Sequence, residues 1–186
     1  MALLKGRENA SWDFAFPGDG FHRAIFQEGV TLKVNENSGK ESLMVPMMIE
    51  EDGEDNGVKV SAFINTRDEN QVVYKQTEQQ IADVIVNAKL YDAFVEKYPD
   101  ETSWLSPRII EALKIALPMK PVGIRTKVEA SGKDGSQKRC NVKEWAFADA
   151  DKVKNAVRGA KPVATSASGG GQAAKPAANK AATPGW

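Results

Sequence analysis

Two short runs late in the chain carry the side chains best suited to meeting a ligand. In VGIRTKVEA, residues 122–130, Val122, Ile124, Thr126 and Val128 alternate with Gly123, Arg125, Lys127 and Glu129, the period-two pattern of a half-buried strand. In RCNVKEWAF, residues 139–147, Cys140, Val142 and Ala146 share one parity, with Glu144 as the exception. Arg139, Asn141, Lys143, Trp145 and Phe147 take the other. Between them lies SGKDGSQK, where Gly132, Asp134 and Gly135 favour a strand reversal. The expected hairpin has a basic, aromatic-bearing face. Arg125, Lys127, Lys143 and Trp145 would suit a single nucleic-acid strand, with cations on phosphates and a flat ring on an unpaired base. The plainer alternative is a solvated sheet face whose Trp145 or Phe147 completes the core.

Other chemistries lack their motifs. There is no Gly-x-Ser-x-Gly elbow, no phosphate-cradling loop with its Lys and Ser/Thr, and no His-Glu-x-x-His, so an enzyme is not expected. One cysteine, Cys140, and one histidine, His22, give no zinc spacing and no internal disulfide. The acidic run EEDGEDNG, residues 50–57, lacks the EF-hand register and precedes a strand. No metal or other cofactor is expected. The formal net charge is zero, which argues against a non-specific polycation for duplex DNA and requires any nucleic-acid site to be a local patch. The opening MALLKGRENA is too short and polar for a signal sequence, and no apolar run approaches membrane-spanning length. A cytoplasmic protein is expected.

The elements that must position this face are legible in order. Residues 1–20, ending in WDFAFPGDG, read as an irregular arm whose Trp12, Phe14 or Phe16 pack on the body. Residues 21–34, FHRAIFQEGVTLKV, read as one long strand bent at Gly29. LMVPMMI, residues 43–49, is a strand apolar on both parities, with Pro46 suggesting an edge or a bulge. In GVKVSAFIN, residues 57–65, Val58, Val60, Ala62 and Ile64 face inward and Phe63 falls on the polar parity, a candidate base-stacking platform. TEQQ, residues 77–80, has capping-box form and opens a helix predicted to reach Tyr98 before Pro99. A second helix starts at Ser106 with Pro107 in its first turn and ends at Pro118.

Three strands, two helices and two strands match a five-stranded OB-like barrel with a helical insertion between strands 3 and 4. An open antiparallel sheet covered by helices fits the same pattern. The mainly β, nucleic-acid-binding body is expected over residues 21–158. Residues 159–186 form a Gly-, Ala-, Pro-, Ser- and Lys-rich stretch with almost nothing to bury, expected to be a flexible tail. Its Trp186 is a candidate hook for a partner protein.

This order of parts, GFHRAIFQEGVTLKV, ESLMVPMMI, GVKVSAFIN, TEQQIADVIVNAKLYDAFVEKY, KPVGIRTKVEA and KRCNVKEWAF with a low-complexity tail, resembles the phage-encoded single-stranded DNA-binding proteins of OB-fold type. The resemblance covers most of residues 20–150. It implies a protein that coats single strands, DNA or RNA, exposed in replication or recombination, with an aromatic and basic groove. It also implies replication or recombination proteins as partners of an acidic, aromatic-ended tail. This tail ends in PGW and holds lysines without acids, so only the aromatic end matches. Residues and resemblance together assign phosphate contact to Arg23, Lys33, Arg125, Lys127 and Lys143, and base stacking to Phe63 and Trp145. The alternative is a non-enzymatic adaptor that binds protein through its tail and Trp186.

Overall fold

Alternating apolar residues build one antiparallel sheet. The computed structural model describes residues 16–131 and 137–159. The arm's Trp12 and Phe14, most of the turn after residue 131, and the tail with Trp186 lie outside them. Six strands form: β1 (Gly20–Phe26), β2 (Thr31–Val34), β3 (Glu41–Ile49), β4 (Lys59–Arg67), β5 (Pro121–Ser131) and β6 (Gln137–Ala146). Hydrogen-bonded ladders run β4–β3–β1–β5–β6, with β2 also on β3. The inward sets, His22, Ala24 and Phe26 on β1, Leu43, Val45, Met47 and Ile49 on β3, and Val60, Ala62, Ile64 and Thr66 on β4, are all buried.

The expected single strand over residues 21–34 is two. Gly29, at φ +100°, turns the chain where a side chain would be strained. β1 pairs with the end of β3 (Ala24↔Ile49, Phe26↔Met47). β2 pairs with its beginning (Thr31↔Met44, Val34↔Glu41). Both halves therefore line one edge of β3. Pro46 sits in the gap between them, where its carbonyl accepts from the Gln27 N–H at 2.9 Å and its missing N–H costs no ladder bond. Pro46 thus marks neither a sheet edge nor a β3 bulge.

The expected five-stranded barrel is corrected to a six-stranded open sheet. β4 and β6 lie beside each other, but no ladder joins them. The helices fall between β4 and β5, one strand later than expected, because the first strand is divided. They number three: α1 (Thr77–Asn87), α2 (Tyr91–Lys97) and α3 (Pro107–Ala116). The helix predicted to run unbroken to Tyr98 stops after Asn87 because Lys89 adopts φ +57°, a left-handed conformation incompatible with continued α-helix. The capping box does not form either. Gln76 is the N-cap without a side-chain bond, and the Thr77 hydroxyl donates instead to the Asn65 carbonyl at 2.9 Å. At α3 the expected cap is present, Ser106 Oγ accepting from the Ile109 N–H at 3.3 Å with Pro107 next.

Ile81, Val84 and Ile85 of α1 and Ile109, Ile110 and Leu113 of α3 are buried in one core with the inner sheet face. A fourth helix, α4 (Asp151–Gly159), packs beside β1. Val153 anchors it at 1 % exposure. Opposite stands Gly123, where an added Cβ would lie 2.5 Å from Val153 Cγ2 and 3.0 Å from the Phe147 carbonyl oxygen. The glycine on β5 is therefore a docking requirement for α4.

Candidate nucleic-acid interface

The unladdered seam between β4 and β6 is where outward residues of the two strands meet. Phe63 is on the outer face of β4, 46 % exposed, opposite Met44 of β3. The Arg139 guanidinium of β6 lies over its ring, 5.9 Å from the centroid, a cation–π arrangement. Farther along, a groove of about 320 Å³ is lined by Ala62, Phe63 and Ile64 of β4, by residues 142–145 of β6, and by Gln80, Asp83 and Asn87 of α1. These three α1 residues recur at helical spacing and give the groove a polar wall.

Trp145 is placed differently from its sequence parity. The β5–β6 register pairs Arg125 with Glu144 but Thr126 with Val142, leaving Lys143 as the extra residue of a bulge. One extra residue exchanges the faces of everything beyond it. Trp145 consequently pairs with buried Ile124 and stacks on Phe26, with centroids 6.0 Å apart and planes at 25°. It is half-buried against the core and still lines the groove. Phe63, by contrast, keeps the outward position that alternation predicts.

The five cations do not form one stripe. Arg23 on β1 is held by Glu50, Nη1 to Oε2 at 2.6 Å, at the root of the acidic loop. Lys33 is exposed on β2, on the far edge of β3 from β4. Arg125 lies over the Phe21 ring at 5.9 Å, and Lys152 of α4 lies over the same ring at 4.9 Å. Lys127 and Lys143 converge on Glu129, at 3.3 Å and 3.1 Å. Of these five, only Lys143 lines the groove. Arg139, not singled out beforehand, is the cation that lies over the Phe63 ring. Its signal was its outward parity, but a partner on β4 requires the fold.

The single cysteine is half-buried, and burial, then the Asp19 charge, push its thiol up from its ordinary value; such a thiol is a poor nucleophile at neutral pH. A separate polar cluster lies at the start of β1. His22, 6 % exposed, points Nδ1 at Glu51 Oε1 (2.8 Å) and Nε2 at the Gly18 carbonyl (2.9 Å). A carboxylate and a carbonyl both accept, so these two contacts favour the doubly protonated ring. Asp55 Oδ2 is 3.8 Å from Nδ1. These three residues bring potential ligand atoms within 4.8 Å of one another, with the His22 protons already satisfying Glu51 and Gly18. Among the described residues no helix is long and apolar enough to cross a membrane. The chain matches no protein-family model, and no curated protein matches it significantly.

Proposed function

We propose that this protein binds single-stranded DNA with little sequence preference, along the outer face of β3 and β4 and across the seam to β6. The reading rests on Phe63, an exposed ring on a sheet face with a guanidinium over it, beside a groove between two strands. Bases stack on such rings irrespective of identity, and Arg and Lys beside them meet the backbone. The ladder order supports it. With β1 and β2 counted as one divided strand, β4–β3–β1–β5–β6 with helices between β4 and β5 is the order of an OB barrel left open at one seam. OB folds are partly open barrels that bind oligonucleotides on their second and third strands, the positions of β3 and β4 in this count.

In this reading Phe63 stacks a base, Arg139, Lys143 and Lys127 contact phosphates, and Gln80, Asp83 and Asn87 form the groove's polar side. Trp145 forms the groove's wall. Arg125, Arg23 and Lys33 lie off this track. The test is anisotropy of labelled oligo-dT with wild type and Phe63→Ala. Loss of one stacked base costs about 1–3 kcal/mol, and because the ring is only half buried the variant should stay folded with a small drop in its unfolding midpoint. Equal affinity of the two proteins would remove Phe63 from the site.

A further inference from the structure

The outer face of the β5–β6 hairpin contains an anion cradle that is already filled. Glu129 Oε2 accepts from Asn141 Nδ2 at 2.7 Å and from Lys143 Nζ at 3.1 Å, and Oε1 lies 3.3 Å from Lys127 Nζ. Three donors from two strands thus converge on one carboxylate. The hydrogen bonds from Lys143, Lys127 and Asn141 hold its carboxyl below the usual carboxylate range, so it is charged at neutral pH. Glu129 is paired in register with Arg139, whose guanidinium covers Phe63, which puts the cradle next to the stacking ring. A phosphate oxygen offers ammonium and amide donors the same acceptor chemistry as a carboxylate oxygen. Lys127 and Lys143 keep 56 % and 44 % of their side chains exposed, and such solvated pairs are held weakly enough to exchange partners.

We propose that Lys127, Asn141 and Lys143 form a phosphate subsite, occupied in the unbound protein by the Glu129 carboxylate and taken over by a backbone phosphate when a single strand binds. The inference rests on the strand-binding reading and adds a regulator to it. Glu129 lowers affinity and flattens the salt response by competing for the cations that phosphates need. A strand that reaches the cradle must expel a fixed negative charge, so weak or partial engagement is disfavoured relative to full occupancy.

The experiment compares wild type, Glu129→Gln and Glu129→Gln/Lys143→Gln in oligo-dT titrations over a range of salt, with thermal unfolding as a folding control. Glu129→Gln should bind roughly two- to fivefold tighter at low salt, the effect of removing one exposed competing charge. Its plot of log affinity against log salt should steepen by about 0.7 for each phosphate newly engaged. Adding Lys143→Gln should cancel most of that gain. Wild-type binding with no gain and no change of slope in Glu129→Gln would overturn the subsite while leaving strand binding intact. Absence of binding by all three folded proteins would instead overturn the strand-binding reading and the subsite with it. Glu129→Ser, a second neutral variant, should reproduce the gain if removal of charge is the cause.

Discussion

His22 shows how one side chain ties a loop to the sheet. Burial alone would favour the neutral ring, but the hydrogen bonds to Glu51 and Gly18 and the charges of Glu51 and Asp55 outweigh it and raise the pKa above 6.5. A raised folded-state pKa means that the charged ring's contribution is fully present below pH 6.5 and is lost as pH rises through the folded value. Wild type should therefore lose stability as pH climbs above 6.5, measured by denaturant midpoints. His22→Gln should flatten that dependence and be less stable at the acid end. A pH profile identical in the variant would show that His22 is not charged when folded. The carboxyl partners, Glu51 and Asp55, lie on the acidic run of residues 50–57. Only the fold reveals that Glu51 also accepts the Arg23 backbone N–H at 3.0 Å.

Among the elements, the β5–β6 hairpin decides which aromatic is available. Its alternation was legible from the order of residues, and Glu144, the exception on the apolar parity, was the one mark of the bulge at Lys143, which only the β5–β6 register identifies. Trp145 therefore belongs chiefly to packing. Trp145→Ala should cost about 2–3 kcal/mol of folding stability, below the full cost of a wholly buried ring, whereas Trp145→Phe should retain most of it. Urea unfolding would check both; an unchanged midpoint for the alanine variant would contradict the packing role. The Gly123–Val153 contact makes a second prediction. Gly123→Ala forces a methyl into space 2.5 Å from Val153 Cγ2, and overpacking of this kind costs about 1–3 kcal/mol. A Val153→Ala partner change should recover part of the loss in thermal unfolding. Helix α4 itself was missed in the sequence, although Val153, Ala156 and Val157 recur at helical spacing within its charged run. The break at Lys89 was hidden because apolar spacing continues through it and only a backbone angle ends α1.

The whole molecule has no net charge, and several of its described cations are paired with carboxylates, Arg23 with Glu50, Lys89 with Asp149 and Lys152 with Glu144. In the proposed reading long-range attraction to nucleic acid is weak, and binding would depend on a local face where a ring and a few cations act together. This favours a flexible single strand, which can unstack onto Phe63, over a duplex, whose bases are already stacked. The strand succession was readable because a buried face imposes period-two alternation on β4, while β3 stood out as a short apolar run bounded by polar turns. The face that carries the proposed site was not, because Arg139 and Phe63 are distant in sequence and meet only across the seam. The measurement that tests the account most directly is a titration of the wild-type protein with labelled oligo-dT and with a matched duplex across a salt series. The account predicts saturable single-strand binding that weakens with salt, with a slope of about −2 if some three phosphates are neutralised, and much weaker duplex binding. Equal affinity for duplex, or no binding to the single strand at low salt, would contradict it.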